Sequence, residues 1–211
     1  MRLASLWEIR LRTPRLVLRL PTEEELLGLY HVAEGGIHPP EQMPFFFAWT
    51  DDLKEDSFLA FHRGAWDSWR PEQWTLNFVT FLEGRPIGTQ EVSGENFATT
   101  RTVNSGSWLG EPFQSQGFGT EQRAGMLEFA FRGLGAKAAV SGVLEGNVRS
   151  QRISEKLGYH VTGTSEAAPR GKPVVQHDYR LERPDWRSPI PVEIEGLEPC
   201  LQLFGALPPS G

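Results

Sequence analysis

The sequence predicts one mixed α/β domain, with a mostly antiparallel central sheet flanked by about four helices. Three observations carry this. Segments of period-two and period-3.6 apolar spacing follow one another as strand, two helices, three strands, helix, strand, helix, two strands. Gly and Pro punctuate the junctions. The 211 residues, 39% of them apolar, are enough to bury a core without disulfides or a structural metal. The domain is expected over residues 1–183, with a C-terminal extension over 184–211.

Residues 15–20 read as the first strand, ended by Pro21. Thr22 then caps a helix, and Glu25 three positions later completes a capping box. Leu26, Leu29, Tyr30 and Ala33 recur at i, i+3, i+4 and i+7, so one face is buried. Gly35 and Gly36 stop the helix. The loop that follows carries His38, Pro39, Pro40 and Pro44 with Phe45, Phe46, Phe47 and Trp49. It reads either as a loop folded onto the core or as the wall of a substrate pocket, with Phe45 and Phe47 as contact residues.

Asp52 and Glu55 open a second helix that Pro71 closes, with Phe58, Phe61, Ala65, Trp66 and Trp69 along one side. Trp74 to Leu82 alternates as a strand, and Glu83-Gly84 turns it into a hairpin. The return strand covers residues 86–93, and a further strand covers 101–109. After a glycine-punctuated segment comes a helix with Leu127, Ala130, Phe131 and Leu134 on one face. A short apolar strand is expected over 138–144, then a helix from Asn147 to Leu157 with Gly158 at its C-cap. Strands over 159–165 and 173–181 finish the domain. Residues 188–211 of the extension hold five prolines, but also Val192, Ile194, Leu197, Leu201, Leu203 and Phe204. That apolar content is too high for a solvated tail and predicts packing on the domain or on a second subunit, hence a homo-oligomer as one outcome.

Charge and residue usage exclude several function classes. Acidic residues outnumber basic ones 27 to 21, a net charge of −6, with no basic run. A nucleic-acid partner is not expected. No apolar stretch is long enough to span a membrane, and the N-terminal arginines are not followed by a secretory apolar run. The single cysteine, Cys200, cannot form an internal disulfide, which with the missing signal points to the cytoplasm. Cys200 reads as a small apolar residue of the tail rather than a nucleophile, since no His or acid is near it in sequence. One Cys and five scattered His give no pair at metal spacing, so no metal is expected.

Two segments carry chemistry. Gln114, Ser115, Gln116, Gly117, Phe118, Gly119 and Thr120 lie between the strand ending at Leu109 and a helix beginning near Gly117. Glycines there let the backbone approach a ligand, and a helix start supplies unpaired N–H donors and the positive end of the macrodipole. The segment reads as a pyrophosphate cradle or as an ordinary strand-to-helix turn. It is neither a Walker A loop nor a three-glycine dinucleotide fingerprint. Downstream, Asn147 caps a helix that sets Ser150, Ile153, Ser154 and Leu157 on one side.

Together these segments resemble the GNAT acyltransferase superfamily. Gln114, Gly117 and Gly119 match its Q/R-x-x-G-x-G/A pattern, and Asn147, Gly158 and Tyr159 match its second pattern. The predicted order of elements matches the family fold over roughly residues 14–182. The Asn147-to-Ser150 run and the Glu155 to Tyr159 ending resemble the RimJ/RimL branch. A closer similarity is to an actinobacterial GNAT protein described as a succinyl-CoA-dependent succinyltransferase, through Thr13 to Leu16, Met43 to Phe45, Trp49-Thr50, Ser105 to Gly110, Gly119 to Glu121, Asp185-Trp186 and Leu203 to Gly205.

The resemblance implies an acyl-CoA donor, succinyl-CoA or acetyl-CoA, and an amine acceptor that attacks the thioester directly. It implies pyrophosphate on the backbone of Gln116 to Thr120, pantetheine beside the strand ending Ser107-Trp108-Leu109, and a carbonyl-polarising N–H at Trp108 or Leu109. Ser150 and Asn147 fall on the cofactor side, and Asn147 orients the pantetheine or the pocket. Glu91 is the candidate base, its other reading being a solvated strand carboxylate. Ser154 stands where many members carry the tyrosine that protonates the leaving thiolate. Ser105 and Ser107 offer hydroxyl donors for a succinyl carboxylate. The competing class is a non-catalytic acyl-CoA sensor, which keeps the cradle and lacks turnover.

Overall fold

The computed structural model describes residues 3–206. A 3-10 segment, Leu3–Glu8, leads into β1 (Arg10–Arg12) and β2 (Leu16–Arg19). Helices α1 (Glu23–Glu34) and α2 (Glu55–Asp67) precede β3 (Gln73–Leu82) and β4 (Arg85–Glu95). A short α3 (Phe97–Thr100) precedes β5 (Thr102–Leu109), followed by α4 (Phe118–Glu128) and β6 (Ala138–Leu144). The chain continues through α5 (Val148–Lys156), β7 (His160–Ala167), β8 (Val174–Glu182), β9 (Glu193–Glu195) and a 3-10 segment, Glu198–Phe204.

All nine strands form one sheet in the order β7-β8-β6-β5-β4-β3-β2-β1-β9. Among the named strand pairs only β5 and β6 run parallel. This is the predicted α/β GNAT architecture. The β5–β6 pair positions the site. It is joined only at Thr102↔Ala138, Val103↔Ala139 and Asn104↔Val140. Beyond Asn104, β5 continues to Leu109 on β4, while β6 continues to Leu144 on β8. The two strands therefore part into a V that leaves two inner edges without sheet partners.

Local sequence explains most boundaries. Thr22 and Glu25 form the reciprocal capping box at α1. Helix α2 is shorter than the Asp52–Pro71 reading, because Lys54 is extended at its N-cap and the helix ends at Asp67. Helix α4 runs on into a π turn, Phe129–Gly133, where Leu134 N–H donates to Phe129 O at 2.9 Å. The two sheet faces bury separate clusters. One joins Leu76, Phe78, Ile87, Val92 and Val103 to Met126 and Leu127 of α4. The other joins Val79 and Phe81 to Leu26, Leu29 and Phe58 of α1 and α2.

The segment after β8 packs into the first cluster through Trp186, Leu197, Cys200, Leu203 and Phe204. Strand β9 adds to the sheet edge at β1. Trp69 Nε1–H donates to Leu203 O at 2.9 Å, and Trp74 Nε1–H to Phe204 O at 3.1 Å. Residues 207–211, the end of the expected extension, lie outside the described residues.

Candidate active site

A cleft of about 2150 Å³ runs from the N-terminus of α4, through the V between β5 and β6, to the loop before α2. It is lined by Phe45, Phe47, Glu91, Ser105, Ser107, Trp108, Leu109, Gln114, Gly117, Gly119, Thr120, Asn147 and Ser150. The sequence candidates that do not line it are Gln116, Phe118 and Ser154.

At the mouth, Gly117 is the α4 N-cap, with φ of 86° and no side-chain cap bond. A left-handed residue there favours glycine. The first-turn N–H groups have no acceptor inside the helix and face the mouth. Glycine at 119 answers a different need: a Cβ there would meet Ile153 Cδ1 of α5 at 3.0 Å. Its role is close packing of α4 on α5.

Glu121, buried in the first turn of α4, accepts from Thr13 Oγ1 at 2.7 Å, Arg15 N–H at 2.8 Å and Arg15 Nε at 2.7 Å. Arg15 also donates to Gln116 O at 3.1 Å and lies 4.4 Å over the Phe118 ring. Phe118 is thus a core residue, and the Gln116 side chain donates to Pro112 O at 2.7 Å. What these two offer a ligand is backbone.

Gln114 is a brace. Its Nε2 donates to Leu109 O at 2.7 Å and Ile37 O at 2.6 Å, and its Oε1 accepts from Arg149 of α5. Asn147 caps α5, its Oδ1 accepting from Ser150 N–H at 3.2 Å. Arg149 and Arg152 place positive charge along the cleft near the α4 mouth. Sequence reasoning missed both, although their i, i+3 spacing at a helix start was a usable signal.

Inside the V the antiparallel ladder decides which N–H groups are available. Gly110 N–H donates to Ile87 O at 2.9 Å. Hydrogen-bonded pairs alternate along an antiparallel pair, so the Trp108 N–H belongs to the β4 ladder. The N–H groups of Ser105, Ser107 and Leu109 point to the opposite edge, into the V. Ser105 N–H is held by Asn104 Oδ1 at 2.9 Å. This corrects the expectation for Trp108: of the two, only the Leu109 N–H faces the V.

The two faces of β5 serve different ends. Trp108 and Glu91 point to the α1–α2 face. Trp108 joins a ring cluster with Trp49 at 5.8 Å and Phe58 at 6.4 Å, and Phe45 adds to Trp49 at 5.3 Å. Phe45 is therefore part of the packed wall, while Phe47 is 82% exposed at the rim. The loop is held at both ends. His38 Nδ1 donates to Pro39 O at 2.9 Å, so Nε2 accepts from Thr50 Oγ1 at 2.8 Å. Asp51 takes Arg170 of the β7–β8 turn in a two-pronged pair at 2.6 and 2.8 Å.

Glu91 sits half-buried between Asn77 of β3 and Gly106 of β5. Burial pushes its carboxyl above the usual carboxylate range, against a weak 3.4 Å hydrogen bond from Ser93. His62 of α2 lines the same end of the cleft, with Nδ1 unpartnered and its pKa lowered by burial to about 4.

On the other face, Ser105 and Ser107 turn toward α4. Ser107 Oγ accepts from Arg123 Nη2 at 3.1 Å. Ser154 is fully buried, with its Oγ 3.5 Å from Arg123 Nη1. Placed so, Ser154 has no direct path to a thiolate in the cleft, which corrects its expected role. Arg123 is the group that faces the cleft there.

The model of the acetyltransferase (GNAT) domain family matches residues 15–160. The chain belongs to the GNAT family. That membership makes it an acyl-CoA-dependent acyltransferase by family. Solved GNAT structures share the fold. A Vibrio cholerae protein assigned as a ribosomal-protein-serine acetyltransferase aligns with a TM-score of 0.63 at 22% identity, over 82% of this chain and 97% of that one. RimL, a ribosomal L7/L12 α-N-protein acetyltransferase in complex with coenzyme A, aligns at 0.67 and 16%, over 81% and 95%. Mycobacterium smegmatis RimJ, solved with a CoA disulfide, aligns at 0.66 and 15%, over 84% and 88%. Among the described residues no cluster of three or more His, Cys, Asp or Glu could hold a metal ion, and no helix is long and apolar enough to cross a membrane.

Proposed function

We propose that this GNAT protein transfers an acyl group from acyl-CoA to a primary amine by direct attack, with succinyl-CoA as the preferred donor and a protein or peptide α-amine as the acceptor. One observation carries the reading. A single cleft connects a helix N-terminus fit for pyrophosphate, an unpaired strand edge fit for pantetheine, and a half-buried carboxylate under an aromatic wall.

The residues divide the work as follows. Backbone N–H groups of Gly117 to Thr120 receive the pyrophosphate, with Arg149 and Arg152 adding charge. The free edge of β5 pairs with the pantetheine amides as an added strand would. Leu109 N–H polarises the thioester carbonyl, and a preorganised donor of this kind contributes about 3–4 kcal/mol in acyl transfer. Fixing amine and thioester together supplies about 7–11 kcal/mol more. Glu91, directly or through water, removes the proton that the amine loses as the C–N bond forms and the C–S bond breaks. Water protonates the departing thiolate.

The α-amine acceptor is supported by chemistry and by fold. At pH 7 about one α-amine in eight is neutral, against about one lysine amine in 2500. The aligned RimL is an α-N-protein acetyltransferase. The succinyl donor rests on the Ser105 to Gly110 and tail similarities described above. A thiol-release assay over a panel of acyl-CoAs and amines tests the reading. Release that needs both an acyl-CoA and a peptide amine, fastest with succinyl-CoA, supports it. Tight acyl-CoA binding without release identifies a sensor, and an acetyl preference overturns the donor.

A further inference from the structure

Arg123 lies on α4, 3% exposed, and faces the cleft. Its Nη2 and Nη1 reach only hydroxyls, Ser107 at 3.1 Å and Ser154 at 3.5 Å. Its Nε has no partner. The ion pairs among the described residues do not include it. Two more buried polar atoms beside it are also unpartnered, Ser105 Oγ and Tyr159 OH. These two hydroxyls lie within reach of each other, and Tyr159 is within electrostatic reach of the guanidinium.

A buried cation with no counter-ion is costly to maintain, and burial works against the charge here. The unpartnered Nε and two hydroxyls with at most each other for a partner add to that cost. A bound carboxylate answers both. It neutralises the guanidinium, takes its planar fork, and accepts from the hydroxyls.

Position selects which anion. Arg123 is five residues into α4 from Phe118, about 7.5 Å along the axis from the pyrophosphate end. It is on the α4 face of β5, whereas Trp108 and the proposed base, Glu91, are on the α1–α2 face. The site therefore belongs to the donor and lies deeper than its phosphates.

We propose that Arg123, with Ser107, Ser105 and Tyr159, receives the terminal carboxylate of a dicarboxylic acyl group carried on coenzyme A. The inference rests on the succinyl-donor reading and names the side chain that produces it. An acetyl group leaves the crypt unfilled. A four-carbon acyl group ending in carboxylate fills it and supplies the missing counter-ion. This moves the expected carboxylate site from the serines alone to a guanidinium that the serines support.

The test is calorimetric titration of the full chain with succinyl-CoA, its methyl ester, butyryl-CoA and free CoA. Butyryl-CoA keeps the four-carbon chain, the methyl ester keeps the carboxyl oxygens with one added methyl, and both lack the charge. Wild-type protein is expected to bind succinyl-CoA about tenfold to a hundredfold more tightly than either neutral analogue, the worth of one charge-assisted hydrogen bond. Arg123→Met should abolish that preference while leaving butyryl-CoA and CoA within about twofold of wild type. Should Arg123→Met not fold, Arg123→Lys and Ser107→Ala should each reduce the preference severalfold.

No wild-type preference for succinyl-CoA overturns the donor reading and this site with it. A preference that survives in Arg123→Met, or in both Arg123→Lys and Ser107→Ala, keeps the donor and overturns Arg123. Equal weakening of all four ligands in Arg123→Met assigns the guanidinium to the shared pantetheine or thiol, which also overturns the proposal.

Discussion

Replacing Glu91 by Gln separates a catalytic carboxylate from a structural one, because the two roles predict opposite changes in stability. The side chain is half-buried between β3 and β5, its one recorded partner is Ser93 at 3.4 Å, and burial raises its pKa. A raised folded-state pKa means that the protonated form is the better tolerated one. The stability it contributes is present below the unfolded pKa, near 4.3, and is lost as pH rises through the folded value. Gln is neutral and of the same shape. Glu91→Gln should therefore melt higher than wild type at neutral pH, with the gain vanishing near pH 4.

Activity should move the other way. Loss of a general base costs about 10²- to 10⁴-fold in rate. For an α-amine, already one-eighth neutral at pH 7, the fall should lie toward the lower end; for a lysine amine it should lie toward the upper end. Wild-type kcat/KM should rise with pH through the Glu91 titration, and that limb should be missing from Glu91→Gln. Differential scanning fluorimetry from pH 4 to 8 and thiol release over the same range read both. Unchanged kcat/KM together with a lower melting temperature at neutral pH refutes the assignment.

Four further outcomes follow from the site and its frame. Phe47→Ala should leave stability within about 0.5 kcal/mol while raising the acceptor KM, read by melting and kinetics together, because the ring is exposed at the rim. Gly142→Ala should lower activity with little change in melting temperature, since a Cβ at 142 would push aside the ends of two cleft-lining side chains, Phe46 Cζ at 2.8 Å and Gln176 Nε2 at 2.6 Å. His62 is neutral when buried, so wild-type stability should fall as pH drops from 6.5 toward 4, by roughly 3 kcal/mol from this group; His62→Phe should flatten that slope in urea titrations at stepped pH. Phe204→Ala should cost about 3–5 kcal/mol in denaturant unfolding, because the ring is fully buried against Trp69, Trp74 and Phe129.

The four longer helices and most strands from β2 to β8 were legible because a buried apolar face or run writes a pattern into the sequence, whereas β7, exposed along nearly its whole length, was legible from its place between Gly158 and the Pro169-Arg170-Gly171 turn. Strands β1 and β9, three residues each, are too short to write a pattern. They exist because their partners are already in the sheet. The parting of β5 from β6 left no local mark either. It arises from β4 holding one strand and β8 the other, pairings that lie far apart in the chain.

The site was legible where backbone carries it and obscure where side chains do. Gly117 needs a left-handed backbone, and that need is visible as a glycine. Gln114 matched a ligand-binding pattern, yet its amide braces Ile37 and Leu109, because a motif records a residue type and not its partner. Arg123 carried a signal that went unread. Glu121, Gln122 and Arg123 are consecutive polar residues, spanning some 200° of the helix. Leu127, Ala130 and Phe131 mark an apolar face on the same helical run, so three neighbours covering that arc cannot all be surface. All three are buried: Glu121 holds Thr13 and Arg15, Gln122 holds the Thr80 hydroxyl and the Thr89 carbonyl, and Arg123 alone has no charged or amide partner. A helix that buries three polar groups and meets the needs of two has reserved the third for something outside the chain.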